Sequence, residues 1–537
     1  MIRPQISHWS PLVDRPKMRI NHLIIPLASS MLWLGTADSF GAAVSDSVAG
    51  ALLDHMVQWN SEEAVLRRAT AEQSSASMFY ASPFSLSAAC VTGDYRHSDE
   101  AEVVQQGRGH TLAGVEAESY MRLSRNTVVW GDACFHIGTR RNILWNNADD
   151  YDLVGPYVIA DSVGGNLSVR SYDFGGGYAG FSRGWTWGAQ AGYTARISYR
   201  NRDPRDKIVV SDLRVSAGAS RQFGGRYSLA VDGSLRVYNQ ESDIEFYRPN
   251  NDIRLYALTG LGNYYPRFSG NTAKSVAYTG VGFGGALTLM PVTATLPVFA
   301  SLNFTFQPVK QILRDFNNLE LTRSRHYMLA VRTGINVHCS KSVQVTPRID
   351  ALLHRQLGFE NFFGTSTGNN YVQIGTRRNY YHDCAEGNVS VPVEWNCSQT
   401  LDLDITPAAT VRYGHEDYRR PKRTLESSAI TPLLKMSVKW TLSSAMRLRL
   451  GAGGAYTFAR ANRENLAGIN LASIMGTSVT HNFAMLTCDA STVGGELGLL
   501  WAFSPSMALD VGLNASSTDY RGHGKALAAV ISAGLKF

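Results

Sequence analysis

The chain has few charged residues, few cysteines and no long apolar run beyond its N-terminus. Only 18% of its 537 residues are charged, whereas about 25% is usual for soluble proteins. Past residue 43 no stretch of about 18 apolar residues occurs, which excludes a bundle of membrane-spanning helices. No proline-rich linker or low-complexity run divides the chain after residue 75. Glycine and tyrosine, by contrast, are plentiful, at 49 and 24 residues.

The sequence offers no clear catalytic or metal site. No local signature singles out a Ser–His pair, so it predicts no catalytic residue and no enzyme, with an outer-membrane hydrolase as the alternative. The six cysteines show no metal-ligand spacing; they either form disulfides in an oxidising compartment or serve as small apolar residues. His136, His338 and His354 fall on different predicted strands, and the acidic segment 146–161 lacks calcium-loop spacing. No metal and no cofactor are therefore predicted.

The N-terminus has the pattern of an export signal. Basic Arg19 precedes the apolar stretch 23–34, and the small residues 41–43 then offer a cleavage site. We predict a signal peptide over residues 1–43, with Met18 as an alternative start; the other interpretation is a buried first helix. Removal of this segment takes away four basic and two acidic residues and lowers the net charge from +7 to +5. That charge is too small to indicate nucleic-acid binding.

Residues 185–200 alternate strictly between apolar and polar side chains. The odd positions are Trp185, Trp187, Ala189, Ala191, Tyr193, Ala195, Ile197 and Tyr199, and the even positions are polar or glycine. Strands in globular sheets usually have about five or six residues, whereas a strand that crosses a bilayer needs about 9–11 residues with aromatic residues at the interfaces. The pattern favours the membrane-spanning strand.

The same alternation recurs through nearly the whole chain, for example at 213–220, 227–237, 401–412, 446–453 and 507–514. Short links alternate with long ones, as tight periplasmic turns alternate with external loops in outer-membrane barrels. The predicted long links are 97–107, 141–167, 201–208, 239–273, 307–327, 356–386, 414–428, 461–489 and 517–523. Nine long and eight short links predict 18 strands, with 16 as the alternative, and place both termini in the periplasm.

The predicted fold is therefore all-β, a transmembrane antiparallel outer-membrane β-barrel over residues 76–537. Its predicted location is the cell outer membrane of a Gram-negative bacterium, among outer-membrane lipid. The final strand ends at Phe537, which resembles the C-terminal signal that barrel-assembly machinery recognises. Segment 44–75 contains a helical pattern at 47–69, which either plugs the lumen or lies in the periplasm.

Several short motifs cluster between residues 145 and 205. They are Trp145-Asn146-Asn147, Asp149, Pro156-Tyr157, Asp161, Trp187-Gly188, Tyr193-Thr194-Ala195, Tyr199 and Asp203-Pro204-Arg205. Together they resemble a family of outer-membrane barrels from Bacteroidetes known only as a domain of unknown function. The resemblance implies an outer-membrane barrel and supplies no activity, substrate or catalytic residue.

Two groups of residues are candidates for a role in function. The first is a basic patch on the inward face of two neighbouring strands, formed by Lys435, Lys439, Arg447 and Arg449. It belongs either to an internal salt-bridge network with nearby acids or to a path that guides anions. The second is a set of aromatic residues in the link 239–273, which folds either inward as a constriction or outward as a binding surface: Tyr247, Tyr256, Tyr264, Tyr265 and Phe268.

An 18-stranded barrel encloses a lumen wide enough for water unless it is plugged. The leading interpretation is thus a transport or channel component for an unidentified solute. The alternative is a non-conducting accessory barrel whose loops bind a partner or ligand. A surface lipoprotein or another transporter component is the kind of protein partner that either interpretation allows.

Overall fold

A computed structural model describes residues 46–248, 253–270, 272–293, 296–367, 370–471 and 473–537. The predicted signal peptide lies outside these residues. Within them, no helix is both long enough and apolar enough to cross a bilayer.

The described residues form a single closed antiparallel sheet of eighteen strands, which confirms the predicted number. The strands are β1 Leu86–Ser98, β2 Gly109–Ser124, β3 Thr127–Ile143, β4 Gly165–Ser182, β5 Trp185–Tyr199, β6 Arg205–Phe223, β7 Tyr227–Glu245, β8 Ser275–Pro291, β9 Val298–Leu313, β10 Leu319–Ile335, β11 Arg348–Thr367, β12 Asn370–Ser390, β13 Leu401–Tyr418, β14 Arg423–Ser443, β15 Met446–Asn465, β16 Ala490–Ser504, β17 Met507–Tyr520 and β18 Gly524–Lys536. Short pieces extend β10, β11 and β12: Val337–His338, Val343–Val345 and Val393–Asn396.

The barrel closes because its first and last strands pair. β1 and β18 run antiparallel in register from Ala88, opposite Lys536, to Ser98, opposite Ala526. Beyond that ladder, the amide of Phe537 donates to the carbonyl of Ser87 at 2.9 Å, and the amide of Ser87 donates back at 2.8 Å. Consequently the sheet presents no open edge, which is the condition for a β-structure to lie in lipid.

The two faces of the sheet differ as the alternation predicts. Large apolar side chains such as Trp187, Val231 and Ile531 are exposed on the outer face. On β5, by contrast, the side chains at the alternate positions point inward. Thr186 and Ser198 are examples, and both are buried inside the barrel. An exposed apolar belt of this kind has its natural solvent in the hydrocarbon of a membrane.

Several strands are taller than the sequence predicts. The predicted long links 201–208, 307–327, 356–386, 414–428 and 517–523 are too long, because half or more of each is strand in the structure. The reason is visible on β11 and β12, where Arg355 forms an exposed ion pair with Asp383 at 2.7 Å on the outer face. The apolar pattern that marks the membrane ends there, whereas the backbone ladder continues beyond it.

Short turns join the strands at one end of the barrel, here called the turn end, and longer links at the other, the loop end. Residues 46–84, here called the plug, lie inside the turn end. They contain α1 Asp46–Trp59, α2 Glu62–Ala71 and a short 3-10 helix Ser77–Tyr80. The single helix predicted at 47–69 is thus two helices. The break falls at Ser61, whose side chain accepts a hydrogen bond from the amide of Ala64 and so begins α2.

Three links cover the loop end and are here called the cap: 144–164, 246–274 and 466–489. The first contains α3 Tyr151–Val154 and the strand Ile159–Asp161. The second contains strands Leu255–Gly260 and Asn263–Gly270, which pair with each other. Leu255–Gly260 also pairs with Ile159–Asp161, and the three strands form a separate small sheet. The third contains α4 Ile474–Thr487. A further 3-10 helix, Arg314–Phe316, lies between β9 and β10.

The assignment of the two faces can be tested on one strand. Val231 is the fifth residue of β7 and faces outward, whereas Ser234 faces the lumen. We expect Val231→Arg to lower the yield of folded barrel, since a lipid-facing arginine near the membrane midplane costs roughly 2–4 kcal/mol. Ser234→Arg carries the same charge on the lumen face and should fold normally. The measurement is the fraction of heat-modifiable protein on a gel; equal yields for both variants would contradict the assignment.

Candidate functional site: the lumen between plug and cap

Asp232 on β7 is the main polar anchor of the plug. Its carboxylate accepts hydrogen bonds from the amide of Ser75 at 2.8 Å, from the Ser75 hydroxyl at 2.6 Å and from the Ser74 hydroxyl. All three groups are buried. Hydrogen bonds to an ionised acceptor are about twice as strong as neutral ones. This carboxylate therefore fixes the segment that follows α2 against the barrel wall.

Gly188 on β5 lets the plug approach the wall closely. A Cβ atom at this position would lie 2.3 Å from the backbone of Ser75, which no side chain could tolerate without movement. Beside it, the hydroxyls of Tyr80 and Thr186 are hydrogen-bonded at 3.0 Å. The glycine of the Trp-Gly motif thus has a structural purpose, which is to seat the plug.

Polar contacts also hold the plug on nearby strands of the wall. Arg332 on β10 donates to the carbonyl of Ala69 at 2.9 Å, and Asn303 on β9 donates to Gln73 at 2.8 Å. An apolar cluster near the turn end adds to these contacts, with Leu66 and Phe79 of the plug among its members. The plug is therefore held in the turn end through both polar and apolar contacts.

Between plug and cap the lumen remains accessible to water. Ser234 is exposed although it faces inward, and the inward side chains of Arg332, Asp350 and Arg412 are 33%, 31% and 30% exposed. These charges are paired: Arg332 with Asp350 at 2.5 Å, and Arg412 with Glu386 at 3.2 Å. We call this space the chamber. Its wall is polar and carries charges of both signs.

The predicted basic patch lies on the inner face of the barrel, and each of its members has an acidic partner. Lys439 contacts Asp404 at 2.6 Å and Glu394 at 3.6 Å, and Arg447 contacts Asp402. Lys435 and Arg449 share the buried Glu496, at 3.8 Å and 3.7 Å. The structure thus brings the four residues together on β14 and β15, within a salt-bridge network. A role in guiding anions stays a prediction.

At the loop end, Asp149 attaches the cap to the wall. Its carboxylate accepts from Arg140 on β3 at 2.7 Å, from Arg196 on β5 and from the Ser198 hydroxyl at 3.0 Å. Burial alone would raise the pKa of Asp149, but Arg140 and Arg196 outweigh it and lower the pKa to about 2. The carboxylate is consequently ionised throughout the physiological pH range.

Arg200, just beyond β5, makes a second buried attachment. It donates to Asp161 at 2.7 Å, to Asp206 at 2.5 Å and to the side-chain oxygen of Asn147 at 3.2 Å. The acidic residues of the motifs at 145–161 thus bind two arginines, Arg196 on β5 and Arg200 just after it. No spacing rule reveals this convergence, because the acids lie about 40 to 50 residues from their arginines.

The second cap link folds inward over the lumen, and a role as a constriction stays a prediction. Phe268 is buried among rings, Tyr256 packs edge-on against Trp145 at 5.4 Å, and the Tyr265 hydroxyl donates to a backbone carbonyl at 3.0 Å. Tyr264 packs against Tyr256, whereas Tyr247 is exposed. Four of the five predicted aromatics therefore help to pack the cap, and a ligand-binding role for any of them stays a prediction.

The histidines that the sequence singles out do not come together. His136 contacts Glu116 at 3.1 Å in the chamber, His338 is exposed at the turn end, and His354 is buried beside His326 at 3.1 Å. Sequence reasoning misses a different group of potential metal ligands at the loop end: Glu100, His481 and His523. None of the six cysteines forms a disulfide within the described residues.

Residues 75–537 match a family described as a family of unknown function (DUF6850). The chain belongs to this family. The match includes the end of the plug, all the described barrel strands and the cap. Asp232, Arg196 and Arg200 all lie in the matched region. No curated protein matches the sequence.

Solved structures with a similar course of the chain include receptors of bacteria. A mutant of the ferric enterobactin receptor of Pseudomonas aeruginosa is 9% identical, with a TM-score of 0.37 over 85% of this chain and 81% of that one. The ferric-catecholate import receptor Fiu of E. coli K12 is 7% identical, with a TM-score of 0.37 over 84% and 81%. FpvA of P. aeruginosa is 8% identical, with a TM-score of 0.37 over 84% and 72%. At scores this low the likeness carries no information on ligand or activity.

The attachment of the cap can be tested at Asp149. We expect Asp149→Asn to increase backbone hydrogen exchange across 144–164, because the substitution removes the charge that binds Arg140 and Arg196. Asp519→Asn is a matched control. Asp519 is exposed and forms an external ion pair with Lys525 at 3.8 Å, and exposed ion pairs contribute about 0–1 kcal/mol to stability. Exchange in 144–164 that is unchanged by Asp149→Asn would show that the cap does not depend on this carboxylate.

Proposed function

We propose that the protein is a transport barrel of the outer membrane whose lumen is closed at rest by the plug and the cap. The observation that carries this proposal is the water-accessible, polar chamber between them. A transport barrel needs a polar, hydrated interior through which a solute can pass. Here inward residues such as Ser234 and Arg412 remain in contact with water.

The plug is the element that would move to open the turn end. It belongs to the segment before β1 and is joined to the barrel by a single connection, so its displacement breaks no strand pairing. Its buried polar anchors converge on Asp232, and loss of that carboxylate would leave the Ser74 and Ser75 groups without their acceptor. Buried donors without a partner cost about 1–3 kcal/mol each, so this anchor is a sensitive control point.

The chamber favours a polar, hydrated solute over an apolar one. Its wall carries paired charges, among them Arg332 with Asp350 and Lys439 with Asp404. Since these charges have partners of opposite sign, the wall offers hydrogen bonds to many polar groups without a strong preference for ions of one sign. Weak anion guidance by the basic patch is compatible with this wall.

A second candidate function is a non-conducting barrel that binds a partner at its surface. The packing of the cap favours it, because buried Phe268, Leu255 and Ile159 belong to one apolar core that holds two of the cap links in a single arrangement. In this alternative the plug and the cap stay in place and only exposed side chains, such as Tyr247, meet the partner.

Conductance across a planar bilayer separates the two functions. We expect the full chain to be closed most of the time, and a chain without residues 46–84 to show discrete open steps. Asp232→Ala should open more often than the full chain, because the plug loses three hydrogen bonds. Glu386→Ala is the matched control, since Glu386 faces the lumen but pairs with Arg412 rather than with the plug.

Two results would contradict the transport proposal. One is silence of the chain without residues 46–84 when its heat-modifiable migration shows a folded barrel. The other is equal opening of Asp232→Ala and Glu386→Ala. Silence of all variants would favour the surface-binding alternative.

The proposed orientation places the turn end in the periplasm and the cap outside the cell. A protease-cleavable tag inserted after the exposed Tyr247 should be cut on intact cells, whereas a tag between Gly224 and Gly225 should be protected. Both positions lie in links between strands, so the barrel should tolerate either insertion. Cleavage at the second tag alone would invert the orientation, and both tags should be cut once the outer membrane is permeabilised.

A further inference from the structure

We propose that Glu100, His481 and His523 form a binding site for a divalent transition metal of the zinc class at the loop end of the barrel. The three residues come from three separate segments: the link between β1 and β2, helix α4 of the cap, and the turn between β17 and β18. Their potential ligand atoms all lie within 4.8 Å of one another. Metal binding at this site does not depend on the proposed transport function.

The spacing of the ligand atoms suits a small tetrahedral centre. Oε2 of Glu100 lies 3.0 Å from Nδ1 of His523 and 3.8 Å from Nδ1 of His481. Zinc binds histidine nitrogen and carboxylate oxygen at about 2.0–2.2 Å, which places neighbouring ligands of a tetrahedron roughly 3.3 Å apart. Side-chain shifts of a few tenths of an ångström would therefore bring the Glu100 contacts to this spacing.

The hydrogen bond that His481 makes through Nε2 leaves its Nδ1 available to bind a metal. Nε2 of His481 lies 2.7 Å from the carbonyl oxygen of Ala101. A carbonyl oxygen only accepts, so Nε2 carries the proton and neutral His481 presents an unprotonated Nδ1 toward Glu100. Histidines that bind metals usually donate their other N–H to a carbonyl or carboxylate in this way, which fixes both tautomer and ring orientation.

The chemistry of the ligands selects the class of metal. Calcium and magnesium take oxygen ligands almost exclusively, whereas two imidazoles with one carboxylate suit zinc and its neighbours. The side chains of Glu100, His481 and His523 are 42%, 23% and 26% exposed. The site is thus partly withdrawn from solvent yet open on one side, so water can complete the coordination.

A bound metal would tie α4 to the rim of the barrel. His481 is carried by α4, whereas Glu100 and His523 belong to links that flank the pairing of β1 with β18. Two of the three connections would thereby cross from the cap to the wall. Hydrogen exchange in α4 should become slower when zinc binds.

The test is calorimetric titration of the detergent-solubilised full chain with zinc after treatment with a chelator. We expect one site per chain, and binding weakened by more than about tenfold in His481→Gln and in His523→Gln, since even loss of a supporting hydrogen bond costs 10–100-fold. Glu100→Gln should weaken binding as well. His110→Gln is the matched control: His110 pairs with Asp94 at 3.1 Å with similar exposure, 27% and 37%, but this pair lacks a third ligand.

Three results would overturn the proposal. They are the absence of a one-site isotherm for the folded wild type, wild-type affinity in both histidine variants, and an equal loss of affinity in His110→Gln. Heat-modifiable migration shows in each case that the barrel is folded. Slower hydrogen exchange in α4 upon zinc addition, present in the wild type and absent in His523→Gln, distinguishes this site from zinc bound elsewhere on the chain.

Discussion

Every backbone N–H and C=O group that faces lipid needs a partner within the protein, and the rest of this structure depends on that requirement. The chain meets it by pairing β1 with β18, with Ser87 and Phe537 as the last bonded residues. Closure with eighteen strands fixes a wide lumen, and side chains alone cannot fill it. The plug and the cap occupy its two ends, and the chamber is the part of the lumen that neither reaches.

The same constraint explains why charges hold the interior together. The apolar side chains of the strands are committed to the outer face, so the inner wall has mainly polar groups to offer. Cap and plug are consequently attached through buried carboxylates and arginines, with Asp232 at one end and Asp149 and Arg200 at the other. Truncation of one partner of such a buried pair leaves the other without compensation, which makes these few residues more important than their number suggests.

The barrel could be predicted from the sequence, but most of the candidate site could not. Alternation in stretches such as 185–200 is a local property, and it predicts the outward faces correctly. The count of short and long links between such stretches predicts the number of strands correctly. The predicted strands are too short at the loop end. The backbone ladder continues past Arg355 and Asp383, where the apolar pattern stops. Contacts such as that of Asp232 with Ser75 join residues 157 positions apart. The grouping of Glu100 with His481 and His523 likewise depends on the closed ring.

The closure of the chamber by the plug is the central claim, and thiol labelling tests it most directly. In a chain whose six native cysteines are replaced by alanine, Ser234→Cys places one thiol in the chamber. A polyethylene-glycol maleimide should label this thiol slowly in the full chain and rapidly in a chain without residues 46–84. Equally rapid labelling in both chains, with both barrels folded, would contradict the account.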